Sequence, residues 1–365
     1  VNRNKLRAAA PLALAATVAL GLSACGADNE AGADDNATSS SLSGTLNGAG
    51  ASSQEAAVGS WQQGFQTANP DVTVNYDPAG SGAGREQFIA GGTDFAGSDA
   101  YLDDEELAKA EERCASDVIE VPTYVSPIAV IFNLPGVDAL NLSPDTLGKI
   151  FAGTITTWDD AAIKADNPDA DLPSSKITPV HRSDDSGTTE NFTAYMAAAA
   201  PESWTEGEVE TWPIKGGEGA QGTSGVVAAV QGGEGTIGYA DASQAGELGV
   251  ASLKVGDEFV GPSPEAAAKI LEASAPLEGR GDTHIVMDID HKTTEAGVYP
   301  AVLVSYQIAC LQYDDEAKAD LVKGWMTYVA SSDGQQAAAS GAGSAPLTSA
   351  LEERISGIVE GISAK

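Results

Sequence analysis

Three short turns built from serine and glycine, "GAGASSQ" (48–54), "AGSGAGR" (79–85) and "DDSGTTE" (184–190), each follow a strand-like run and precede a helix-like one. Strand, turn and helix repeated along one chain restrict the fold to α/β architectures in which helices cover a sheet. The flanking runs carry the expected periods. "DVTVNYDP" alternates Val72, Val74 and Tyr76 with polar residues, which predicts a strand. Val58, Trp61 and Phe65 recur at i, i+3 and i+7, which predicts a helix that stops at Asn69-Pro70. "TTENFTAYMAAAAP" places Phe192, Tyr195, Met196 and Ala199 on one helical face. In "LSPDTLGKIFAG", Ser143 and Pro144 are N-cap and first-turn signals. "AGVYPAVLVSYQIAC" reads as a late strand, and "KADLVKGWMTYVASSDGQQAAA" as one long C-terminal helix. With two such strand–helix sets in 365 residues, two lobes are the natural packing.

The turns also have a chemistry. A helix N-terminus presents unpaired N–H groups and a partial positive charge, which suits an anion. Glycine lets the backbone approach a ligand, and serine or threonine hydroxyls add donors. One such turn implies no more than a helix start. Three of them, with the lone Arg182 beside the third, point to an oxyanion pocket. Net charge is −34, from 19 basic and 53 acidic residues. That argues against nucleic-acid binding and against electrostatic docking on an anionic membrane. It does not exclude an anionic ligand, because a Debye length of about 8–10 Å lets one pocket differ in sign from the whole surface.

Other anion and hydrolase signatures fail. No G-x-x-x-x-G-K-[S/T] occurs, and "GAGASS" has Ser53 where a dinucleotide fingerprint needs glycine. Around Ser81 the glycines are misplaced for a G-x-S-x-G nucleophile elbow. His181, His284 and His291 have no metal-site spacing, and His181 reads as a strand-end packing residue. No metal and no cofactor are expected.

The N-terminus reads as an export leader over residues 1–24. Arg3, Lys5 and Arg7 precede the apolar stretch 8–22, which is shorter than the roughly 20 apolar residues of a membrane span. "LSAC" (22–25) resembles the lipobox of bacterial lipoproteins, which implies cleavage before Cys25 and lipid on its thiol. Loss of the leader's three basic residues leaves 16 against 53, or −37. Residues 25–43, small and acidic, read as a flexible tether. Cys114 and Cys310 then remain, either as a disulfide or as two buried thiols.

Six segments carry a family resemblance: "LNGAGASS" (46–53), "NYDPAGSGAG" (75–84), "TDFAGSDAYL" (93–102), "TITTWDDAAI" (154–163), "HRSDDSGTTENFTAYM" (181–196) and "GTIGYAD" (235–241). In order and spacing the chain resembles the phosphate-binding components, PstS type, of bacterial phosphate ABC importers, over roughly residues 44–350. The resemblance implies a two-lobed type II periplasmic-binding-protein fold. Each lobe is a mixed sheet flanked by helices, and two crossover segments and an interlobe cleft join them. Lobe I is expected at 44–124 plus 285–365, and lobe II at 125–284. The implied phosphate ligands are Ser52, Ser53 (through its backbone N–H alone), Ser81 and Asp99 from one lobe, and Arg182, Ser186, Gly187 and Thr188 from the other. Asp184 is implied to orient Arg182, while Asp185 reads as a solvated turn acid. The implied partners are phosphate and the permease and ATPase subunits of an importer. The protein is then an exported monomer that touches the outer face of the cytoplasmic membrane through the Cys25 lipid alone.

Asp99 is the informative member. A carboxylate beside an anion repels it unless the ligand supplies a proton. Phosphate keeps at least one near neutral pH and sulfate has none. Two facing acceptors would cost several kcal/mol, on the order of 10³-fold in affinity. The competing reading makes Asp99 the N-cap of the helix in "YLDDEELAKA". Two other functions stay open at this point. One is a receptor for sulfate or molybdate. The other is a secreted phosphoester hydrolase using Ser186 or Ser81, which would need a base or metal.

Overall fold

A computed structural model describes residues 42–365. The leader, Cys25 and the tether as far as residue 41 lie outside the described residues. Leu42, at the tether's end, packs on the core beside Gly324.

The chain runs through β1 (Gly44–Gly50), α1 (Glu55–Ala68), β2 (Val72–Asp77), α2 (Ser81–Ile89), β3 (Phe95–Ser98), α3 (Asp104–Cys114) and a long β4 (Val118–Asn133). It continues with β5 (Leu140–Leu142), α4 (Pro144–Phe151), α5 (Ala161–Asp166), β6 (Thr178–Arg182), α6 (Gly187–Ala199), β7 (Glu218–Ala220), α7 (Gly222–Gly232) and β8 (Thr236–Asp241). Next come β9 (Gly249–Val255), β10 (Glu258–Val260), α8 (Pro264–Ala273), β11 (Ala275–Pro276), β12 (Met287–Asp288) and β13 (Val302–Cys310). The chain closes with β14 (Gln312–Tyr313), α9 (Glu316–Ala330), α10 (Ser332–Ala342), α11 (Ser349–Val359) and β15 (Ser363–Ala364).

The strands form a mixed sheet in the order β2-β1-β3-β13-β4-β8-β6-β7, with β9 joining β4 to β5 and β10. β1 lies parallel to β2 and β3, which requires crossovers, and α1 and α2 supply them. β13 runs antiparallel to both β3 and β4. Two lobes arise because β4 changes partner along its length. It pairs with β13 over Val118–Pro127 and with β8 over Ile128–Asn133. One crossover segment is therefore itself a strand shared by both halves of the sheet.

Both prolines of β4 stand where its ladder is broken. Pro127 marks the change of partner. Pro122 adjoins an irregularity in which Ser305 faces Tyr124 and Tyr306 faces Pro122, so Thr123 is the extra residue of a bulge. A residue without an N–H is tolerated at such places.

Trp61, Phe65, Phe95 and Trp325 pack in one lobe, and Phe151, Phe192, Trp212 and Tyr239 in the other. The periodic faces read from sequence are the buried ones: Val58, Trp61 and Phe65 on α1, and Phe192, Tyr195 and Met196 on α6. Burial of each large side chain is worth about 1.5–3 kcal/mol. Ser143 caps α4 with Pro144 in its first turn, as the sequence predicts.

The expected long C-terminal helix is two helices. Ser331 takes an extended conformation, donates to the Tyr328 carbonyl (2.7 Å) and accepts from the Gly334 amide (3.2 Å). It ends α9 and caps α10, and the apolar periodicity on either side hides the break. Cys114 and Cys310 form a disulfide that ties the end of α3 to the end of β13. No helix among the described residues is long and apolar enough to cross a membrane.

Candidate functional site

Each Ser/Gly turn becomes a helix N-terminus. Ser53 lies in the turn before α1, Ser81 opens α2 and Ser186 is the N-cap of α6. Asp99 follows directly on β3. It does not cap the next helix, because Asp103 does so through a capping box with Glu106. That removes the competing reading of Asp99.

Asp99 is 3% exposed, and both of its oxygens accept hydroxyl protons. Ser53 Oγ lies within donating distance of Oδ1 (2.8 Å) and Oδ2 (2.6 Å). Thr188 Oγ1 donates to Oδ2 at 2.8 Å from the opposite lobe. Ser305, on β13, donates to Oδ1 at 2.5 Å. The Asp99 amide donates to Ser81 Oγ (3.1 Å), and its carbonyl accepts from Asn191 Nδ2 (2.8 Å). Burial pushes the Asp99 carboxyl above its ordinary value. The hydroxyls of Ser305, Ser53 and Thr188, and then the charge of Arg182, act to hold it down.

Arg182 ends β6 and is buried. Its Nε donates to Asp184 Oδ1 at 2.8 Å and its Nη2 to Asp184 Oδ2, while the Gly222 amide adds a bond to Oδ1 at 3.1 Å. Burial alone would raise the Asp184 carboxyl. The hydrogen bond and charge of Arg182 outweigh it and hold the carboxyl below the usual range. Gly80 is needed beside this pair. Its φ is +112°, and a Cβ there would sit 2.6 Å from Asp184 Oδ2. Gly187 is equally constrained, since a Cβ would come within 2.8 Å of both Asp99 Cβ and Ser81 Oγ.

Ser53, Ser81, Gly187 and Thr188 thus gather around Asp99, with Arg182 and Asp184 against Gly80. Ser186 Oγ accepts the Thr189 amide (3.1 Å), which leaves its own proton free to donate. Ser52 is turned differently: its hydroxyl lies 3.0 Å from Thr223 Oγ1 and accepts the Thr223 amide at 2.9 Å. Ser53 brings more than the expected backbone N–H, because its short side chain reaches both Asp99 oxygens. Asp185 is exposed, as expected, and accepts from Thr211.

Sequence reasoning missed Ser305, Thr223 and Asn191. The N-terminus of α7 ("GTSG", 222–225) is a fourth Ser/Gly turn after a strand, so the same signal could have found Thr223. Ser305 had no such signal inside an apolar strand. His181 stacks on Trp212 with ring centroids 5.0 Å apart, and no His/Cys/Asp/Glu cluster suited to a metal occurs among the described residues.

The PBP superfamily domain matches residues 35–333. A Mycobacterium bovis protein named phosphate-binding protein PstS3 is 36% identical over 333 residues, covering 88% of this chain and 90% of that protein. Phosphate-binding protein PstS 2 of Mycobacterium tuberculosis is 35% identical over 376 residues, covering 98% and 99%. A solved high-affinity periplasmic phosphate-binding protein, bound with phosphate, has the same fold, with a TM-score of 0.69 at 24% identity over 86% of this chain and 93% of that one.

Proposed function

The chain belongs to the PstS-type phosphate-binding proteins of the PBP superfamily, with their two-lobed type II fold, and on that footing we propose how it holds its ligand. It binds inorganic phosphate outside the membrane for import by an ABC permease. The lobes we assign are 44–124 plus 285–365 and 125–284. Support comes from β4, which exchanges β13 for β8 between Pro127 and Ile128.

Phosphate sits in this reading at the meeting of the helix N-termini. Arg182 offers a planar fork that Asp184 holds still. Ser81, Ser186, Gly187 and Thr188, with the Ser52–Ser53 turn, supply further donors. Contacts from both lobes to one anion are what would favour the closed state.

The observation that carries the reading is Asp99, buried, accepting from hydroxyls of both lobes and within the influence of the Arg182 charge. An ionised carboxylate accepts only, so the ligand must bring the remaining proton. That favours a protonated oxyanion over sulfate. A hydrolytic role is disfavoured, because Ser186 Oγ serves as a helix cap, Ser81 Oγ serves the Asp99 amide and His181 is stacked on Trp212. We also assign a lipid anchor at Cys25 to the outer face of the cytoplasmic membrane, on the "LSAC" pattern.

Titration calorimetry on Asp99→Asn tests the site. The phosphate-over-sulfate preference should fall by on the order of 10²-fold or more, since an amide can donate to sulfate. An unaltered preference would remove Asp99 from the binding site.

A further inference from the structure

We propose that Ser305 is a positioning residue that fixes the Asp99 carboxylate as an acceptor aimed into the cleft, and thereby sets the preference for a protonated oxyanion. The inference rests on the phosphate reading above and adds a residue outside the four Ser/Gly turns.

The geometry comes from sheet register. β13 pairs antiparallel with β3, Tyr306 opposite Ser98. One step further along the same register sets Ser305 opposite Asp99, on a fully buried strand in the middle of the sheet. A group on a central strand is held more rigidly than one on a loop.

Proton counting gives Ser305 a job that Ser53 cannot do. A carboxylate has about four acceptor positions, and a hydroxyl has one proton. Ser53 lies near both Asp99 oxygens but can serve only one at a time. With Ser53 and Thr188 on Oδ2, Oδ1 is pinned by Ser305 alone. Three hydroxyls then occupy three positions and leave one for a proton from the ligand.

Without Ser305, Oδ1 has only the Ser53 hydroxyl within reach, which it must share with Oδ2, and the charge loses a charge-assisted bond. Burial already pushes this carboxyl up, and Ser305 is the foremost of the groups that hold it down. Arg182 from β6, Tyr76 from β2 and Glu190 from α6 bring charged or titratable groups near Asp99, and none of them donates a hydrogen bond to it. A neutral Asp99 could donate as well as accept, and sulfate would no longer meet a bare acceptor.

The test is calorimetric affinity for phosphate, arsenate and sulfate in the full-length protein and in Ser305→Ala and Ser305→Thr. Arsenate keeps a proton as phosphate does. In Ser305→Ala, phosphate and arsenate should weaken together by about tenfold or more while sulfate holds or tightens, and Ser305→Thr should restore the native ratio. Parallel weakening of all three anions, a ratio moved by less than about threefold, or no rescue by threonine would overturn the proposal. If Ser305→Ala does not fold, Ser305→Cys, which keeps the volume with a weaker donor, is judged by the same criteria. Asp99→Asn separates the failures: if it too leaves the ratio unchanged, the binding-site reading has failed, and if it alone shifts the ratio, only the role of Ser305 has.

Discussion

Glu190 shows what one residue outside the proposed phosphate ligands can do. It lies on the first turn of α6, and its Oε2 is buried with no hydrogen-bond partner among the described residues. Burial, then the charges of Glu210 and Glu208, push its carboxyl up to about 9, against the pull of Arg85. In the unfolded chain the same group loses its proton near its ordinary value of 4.5. Between those values the folded state binds more protons than the unfolded state. Stability therefore falls as pH rises through the window, and the loss is complete above it. Glu190→Gln is expected to melt higher than the native protein at pH 8, with the gain shrinking at pH 5. Melting curves that keep the same separation at both pH values would contradict this. The carboxylates around the cleft are thus pushed in opposite directions: Arg182 holds Asp184 below the usual range, while burial and the charges of Glu210 and Glu208 push Glu190 above it.

At the scale of elements, four helix N-termini meet because parallel strand pairs place successive turns at one end of the sheet. A clamp lies beside them. Arg85 of α2 donates from Nη1 and Nη2 to Glu210 of the opposite lobe (2.9 and 2.7 Å), and from Nε to Glu106 of α3 (3.0 Å). The Glu210 carbonyl accepts the Ser186 amide at 3.2 Å, so the clamp leads directly to the α6 cap. Arg85→Met should speed phosphate dissociation about tenfold by loosening the closed form, although Arg85 has no place among the proposed ligands. Stopped-flow release with a phosphate trap reads this out. A lower melting temperature with an unchanged release rate would show that the clamp serves the fold alone. The turns that open α1, α2 and α6 were legible as motifs. The clamp was not, because residues 125 positions apart leave no periodic trace.

For the molecule as a whole, the Cys114–Cys310 disulfide closes a span of 196 residues between α3 and β13, away from the cleft. The Cys114→Ser/Cys310→Ser pair should cost about 2–4 kcal/mol in unfolding free energy while phosphate affinity stays near native. A large loss of affinity in calorimetry would instead mean that the bridge sets the lobe geometry. The sequence by itself determined the α/β class, the turns and their hydroxyls, the arginine with its acid and the acidic surface, because these follow from local periodicity, backbone chemistry and charge. Tertiary structure alone decided that β4 changes partner from β13 to β8, that Ser331 splits the last long helix, and that Ser305 stands opposite Asp99. Those facts depend on strand register and on contacts between distant segments. A hydroxyl in an apolar run looks the same in sequence whether it faces packing or a buried carboxylate.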